Sequence, residues 1–316
     1  MKELKNLNQL LQMKNKIVVL VFLGLSLQGF AQQDAIYSQY MFNPFAINPA
    51  YAGTRNSMSG VILHRSQWVG IPGAPRTQTA TLHAPINKYN LAWGINLAHD
   101  KIGPNRNTIA TVTGAYQLRF KDSKLNLALR GGMYNSVFNL NELNFKEDGD
   151  QFDVGGVVSA VVPTLDFGAY YYKTKFYLGI SATHIIGPTF KYENLPTNTT
   201  YLRSHVMIAS GYVFEIGPKL VLKPSLLLKS VEGVPLNLDI NLSALFYKKF
   251  WLGLSFRNKS SVNFMLDMNI TDYLRMGYCY DLLVNQLSNY SRGTHEIFIG
   301  FDFSIKKAQT VSPRYL

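Results

Sequence analysis

The sequence predicts an all-β protein, an antiparallel transmembrane β-barrel of about 14 strands with an irregular N-terminal segment that plugs or caps its periplasmic side. Three observations carry that expectation. The first is strict alternation. In Asn237–Phe246, Leu238, Ile240, Leu242, Ala244 and Phe246 point one way, and Asn237, Asp239, Asn241 and Ser243 the other. Successive strand side chains face opposite sides of a sheet, so such a segment has one apolar and one wet face. Ser261–Thr271 and Thr294–Ile305 repeat the pattern, carboxylates included. A chain full of these strands suits a lipid-facing exterior around a polar interior. The second observation is that every second connection is minimal. The third is an export address at the N-terminus.

That address comes first along the chain. Ile17–Leu27 is the longest apolar stretch, roughly half of the ~20 residues a spanning helix needs. It follows Lys14 and Lys16 and ends at Gly29-Phe30-Ala31, small residues at the −3 and −1 positions of a cleavage site. Residues 1–31 therefore read as a secretory signal peptide cleaved near Ala31, with Met13 a possible start. No cysteine follows the apolar run, which excludes a lipoprotein signal. Removing these residues takes away four lysines and one glutamate and lowers the net charge from +12 to about +9.

Residues 32–56 are not a strand. Pro44, Pro49 and Gly53 interrupt Y-S-Q-Y-M-F-N-P-F-A-I-N-P-A-Y-A-G, so neither helix nor ladder runs through it. Yet Tyr37, Tyr40, Phe42, Phe45 and Tyr51 give it much apolar surface to cover. It packs at the periplasmic mouth, packs inside the lumen, or docks on another protein.

From residue 57 the barrel runs to 305, with strands at about 57–69, 76–86, 89–103, 107–120, 123–140, 162–174, 175–186, 201–217, 219–231, 235–249, 250–260, 261–272, 273–284 and 293–305. Each is near or above the ~9–11 residues that cross a bilayer. The minimal links are Asn87-Lys88, Lys121–Ser123, Lys173–Thr174, Gly217-Pro218, Lys248-Lys249 and Thr271–Asp272, whereas Asn139–Val161, Gly187–Thr200 and Val284–Arg292 are longer. Short periplasmic turns, longer outer loops and two periplasmic termini are the outer-membrane pattern for an even strand number. Tyr89, Phe120, Tyr171, Tyr172, Phe176, Tyr247, Phe250, Trp251 and Tyr273 flank the short turns as an interfacial girdle. Strand glycines such as Gly94, Gly179, Gly253 and Gly300 ease curvature. Residues 306–316 form a short periplasmic tail.

The N-terminal segment and the following H-R-S-Q-W-V-G-I-P-G-A-P-R-T-Q-T (His64 to Thr79) resemble the PorP/SprF family of type IX secretion outer-membrane proteins of Bacteroidetes. The resemblance spans essentially the whole mature chain and is sharpest in Asp34–Gly53 and His64–Thr79. It implies an outer-membrane barrel that helps one large cargo, such as a gliding adhesin, reach and stay on the cell surface. The implied partners are that secreted cargo, other type IX secretion components and outer-membrane lipid. Candidate contacts with a partner or plug are Tyr37, Gln39, Tyr40, Phe42, Asn43, Pro44, Asn48, Pro49, Tyr51, Arg65, Gln67 and Trp68. On the residues alone, Gly70–Pro75 is a tight connection with Trp68 near the outer interface. Arg65 and Gln67 share a face and hold either the N-terminal segment or a cargo.

Chemistry is sparse. The six histidines lack ligand spacing, and there is no G-x-S-x-G elbow or phosphate-binding loop. Cys279, the single cysteine, excludes an intramolecular disulfide. The acidic run Glu142–Asp153 lacks Ca²⁺-loop spacing. No cofactor, metal or nucleic acid partner is expected, and the lysines sit mostly in turns, where a solvated rim or lipid head groups explain them. A secretion partner is the leading reading, with a transporter or porin as the alternative and an outer-membrane hydrolase third.

Overall fold

The computed structural model describes residues 37–55, 57–143, 155–192 and 201–304. The expected signal peptide, the expected C-terminal tail and most of the acidic run lie outside these residues. The strands are β1 (Ser57–Ser66), β2 (Arg76–Ile86), β3 (Leu91–Ile102), β4 (Asn105–Arg119), β5 (Lys124–Asn139), β6 (Val157–Tyr172), β7 (Phe176–Thr183), β8 (His205–Tyr212), β9 (Phe214–Ile216), β10 (Leu220–Val231), β11 (Val234–Phe246), β12 (Phe250–Arg257), β13 (Ser261–Asn269), β14 (Leu274–Leu283) and β15 (Thr294–Ser304). Each pairs antiparallel with its neighbour, and β15 returns to β1 from Ser57↔Ser304 to Ser66↔His295. The sheet is closed. β8 and β9 are one stave broken at Val213, because Ser225↔Gly211 and Leu222↔Phe214 keep a common register against β10. Pro224 lies at the break and has no N–H to offer. The barrel therefore has 14 staves.

Departures from the sequence reading are local. β6 begins at Val157, since Val157, Val161 and Phe167 continue the outward apolar series past the expected start. β1 ends at Ser66, where the chain turns and Trp68 takes φ +50. Tyr172 and Trp251, expected in the girdle, are buried inside, because alternation from Tyr171 and Phe250 turns them to the lumen. Tyr89, Phe120, Tyr247, Phe250 and Tyr273 remain exposed beside the short turns.

Polarity is inverted relative to a soluble protein. Leu242 and Leu254 are each 51% exposed, while Asn241 is 2% and Ser255 1%. Such exposure of one whole apolar face is a lipid-facing wall. No helix among the described residues is long and apolar enough to cross a membrane. β1 starts and β15 ends at the short-turn end.

Candidate functional site

The lumen is occupied by residues 37–55. The described chain begins at the long-loop end and descends inside the barrel to β1, so the segment plugs the lumen rather than capping its mouth. Local sequence shapes the descent. Pro44 starts a single helical turn (Pro44–Ile47), where its missing N–H costs nothing. Asn48 then caps a 3₁₀ turn (Pro49–Tyr51), its side chain accepting from the Ala50 N–H.

At the long-loop end the wall grips the segment through charge. Arg65 reaches Asp281 at 2.9 Å and Glu296 at 3.0 Å, all three side chains almost fully buried. Glu296 accepts the Ser38 N–H at 3.0 Å and the Gln39 N–H at 2.8 Å. Ser38 Oγ donates to Asp281 and accepts from Arg65. Arg257, paired with Asp239 at 2.7 Å, donates to the Tyr37 carbonyl at 3.0 Å. The Tyr37 hydroxyl bonds Thr79 Oγ1.

Further down, wall donors meet main-chain carbonyls. Arg275 donates to Phe42 O (2.7 Å), and Arg130, held by Asp166 at 2.6 Å, to Phe45 O (3.1 Å) and Ala46 O (3.3 Å). Ser181 donates to Ile47 O (2.8 Å) and Asn126 to Ala52 O (3.1 Å). In the reverse sense, Asn48 Nδ2 donates to the Ala169 and Ile180 carbonyls of β6 and β7. A buried carbonyl needs such a partner, so these contacts let irregular backbone lie where the sheet cannot pair it.

Apolar packing fills the rest. Phe42 lies against Trp251 and Phe298, Phe45 against His83, and Tyr51 against Tyr170. Inward glycines make the room: a Cβ on Gly94 would overlap the Phe45 ring, and one on Gly168 would overlap Asn48. At the bottom, Arg55 joins Asp302 at 2.5 Å, and Asp302 also takes the Ser59 hydroxyl.

Of the residues singled out in the sequence, Tyr37, Gln39, Tyr40, Phe42, Asn43, Pro44, Asn48, Pro49, Tyr51 and Arg65 all converge here. Asn43 accepts from Thr81, and Tyr40 is 2% exposed. Gln67 and Trp68 do not join them. Both lie past the end of β1, where their backbone N–H groups bond Pro75 O and Thr294 Oγ1. Arg130, Asp239, Arg257, Arg275, Asp281 and Glu296 escaped notice as a site, although alternation already puts Asp239 and Glu296 on wet faces. Cys279 is buried, its thiol against Asp281. No group of three or more His, Cys, Asp or Glu among the described residues is placed to hold a metal ion.

A closed 14-stave barrel with an apolar wall and an internally anchored segment is an outer-membrane β-barrel protein. The chain belongs to the PorP/SprF family, described as type IX secretion system membrane proteins, whose model matches residues 29–301. Among curated proteins nothing matches the sequence. Of solved structures, it is similar to the Ralstonia pickettii toluene transporter TbuX, with TM-score 0.53 and 9% identity, covering 87% of this chain and 95% of that one. The Acinetobacter baumannii outer membrane protein Omp33 gives TM-score 0.46 and 11% identity over 78% of this chain and 99% of that one. At such identities the likeness concerns fold alone. The family is one of secretion-system membrane components.

Proposed function

We propose that this protein is a non-enzymatic component of the type IX secretion system that assists the secretion or surface anchoring of one large cargo, of the surface-adhesin kind. Family membership supplies the system. The observation that carries the reading is the filled lumen: residues 37–55 are held at one end by hydrogen bonds to the buried Arg65–Asp281–Glu296 cluster, at the other by the Arg55–Asp302 ion pair, and by main-chain bonds between them. A barrel so occupied suits a docking or anchoring partner better than a solute pore. In this reading the signal peptide is removed near Ala31, the long loops face outward, and β15 ends on the periplasmic side.

The test compares surface and secreted proteomes with and without the gene. Loss of one or a few large proteins, with general secretion intact, supports the reading and names the cargo; loss of all type IX cargo would make the chain a core part of the machinery. The barrel fold is shared with transporters such as TbuX. An unchanged proteome, with steady conductance of the purified protein in a planar bilayer, would favour that alternative.

A further inference from the structure

The outer wall carries a feature that neither the lumen nor the girdle explains. On β1–β4 the apolar series ends early on the way to the long-loop end, and on β5 it is interrupted at Asn135 before Val137. Ile62, Leu97 and Met133, with Ala80 and Ala110 between them, share one register row across these five strands. One outward position further on, the row reads His64, Gln78, His99, Thr108 and Asn135. It is stitched laterally, with His64 Nδ1 3.3 Å from Gln78 Nε2 and His99 Nδ1 2.9 Å from Thr108 Oγ1.

One position beyond, Arg76, Lys101 and Arg106 are paired neighbours on β2, β3 and β4. All three are exposed. Neighbouring strands lie ~4.8 Å apart, so three cations stand side by side within about 10 Å. Like charges directly opposite one another destabilise a sheet. Among the described residues, the one ion pair at this row joins Arg106 to Glu142 at 3.2 Å. Along β12–β14, by contrast, the apolar series runs on to the strand ends, where Phe256, Val262 and Leu282 form one outward register row.

We infer that Arg76, Lys101 and Arg106, above the His64–Gln78–His99–Thr108 row, form a docking strip for phosphorylated lipid headgroups in the leaflet at the long-loop end. The charge is complementary, and the strip begins where the apolar wall stops, at the depth of a headgroup. Two guanidinium forks flanking an ammonium suit phosphate oxygens, which arginine binds in bidentate fashion. Thr108, Gln78 and the histidines supply hydroxyl, amide and imidazole partners for the sugar or glycerol below. The inference rests on the membrane-barrel reading and is independent of which cargo the protein serves.

The test is native mass spectrometry of the full barrel in neutral detergent, incubated with lipid A or with its dephosphorylated counterpart. The expected result is near-equimolar retention of lipid A and little of the dephosphorylated form. R76Q/K101Q/R106Q should weaken retention by at least about tenfold, a loss of ~1.4 kcal/mol or more. R76K/R106K, which keeps the charge but loses the bidentate forks, should retain an amount between wild type and the triple glutamine variant, and K121Q/K173Q/K248Q at the short-turn end should retain all of it. Excess inorganic phosphate should not displace the lipid. Equal retention of both lipids, displacement by inorganic phosphate, or wild-type retention by the triple glutamine variant would each overturn the inference. The first two arms use unmodified protein, so a variant that fails to fold leaves the answer decidable.

Discussion

Replacing Arg65 by methionine tests the anchoring of residues 37–55 most sharply. Arg65 stands between Asp281 and Glu296 with all three side chains at most 2% exposed. Its loss leaves two carboxylates without their cation, and Glu296 keeps the Ser38 and Gln39 N–H bonds as its remaining support. Breaking a buried pair in this way costs on the order of 3–5 kcal/mol. The outer wall is hydrogen-bonded all round and loses no ladder bond, so the cost should fall on the segment. At ~1.4 kcal/mol per factor of ten, amide exchange at Ser38 and Gln39 should quicken by two to three and a half powers of ten. Ladder amides of β3–β6 should keep their protection. The triple variant R65M/D281N/E296Q removes all three charges and should recover most of the loss, because a neutral buried cluster lacks the uncompensated carboxylates. Hydrogen exchange read by mass spectrometry on the three proteins in one detergent decides it. Unchanged exchange at residues 38 and 39 in Arg65→Met would refute the reasoning, as would simultaneous exchange of segment and barrel.

Three further outcomes follow from the same geometry. Phe264→Arg puts a charge on the lipid face and should cost roughly 2–4 kcal/mol in a folding assay, whereas Asn237→Asp on the inner face, where Lys229 is its register partner, should be mild; equal tolerance would contradict the assignment of faces. Gly168→Val has no room beside Asn48 and should lower the thermal midpoint while shifting the fluorescence of Trp251, against which Phe42 packs; wild-type values for both would mean the segment is not wedged where described. Trypsin applied to intact cells should cut only in the longer loops, and cleavage at Lys121 or Lys248 would reverse the proposed orientation.

The strand pattern was readable because it is local. Leu238, Ile240 and Leu242 face lipid for a reason contained in their spacing, and no distant residue is needed to say so. The short links at Lys121–Ser123 and Lys248-Lys249 were readable on the same grounds. Ambiguity began where facing and partner separate. Tyr172 and Trp251 sit beside short turns and look like girdle residues, but one step of alternation sends them inward. Arg65 and Gln67 have the same parity, and only the end of β1 at Ser66 takes Gln67 out of the lumen.

By itself, then, the sequence determined the barrel, its even stave number and the two faces of each strand, because alternation and turn length act over a few residues. It also marked residues 32–56 as apolar surface in need of cover. Where that surface goes was decided by tertiary structure alone. Glu296 and Ser38 are 258 positions apart, and Arg275 and Phe42 are 233. Such contacts exist only once the barrel has closed around the segment. Closure places carboxylates and guanidiniums from seven strands around one stretch of irregular backbone, in a space where every unpaired polar group would be costly.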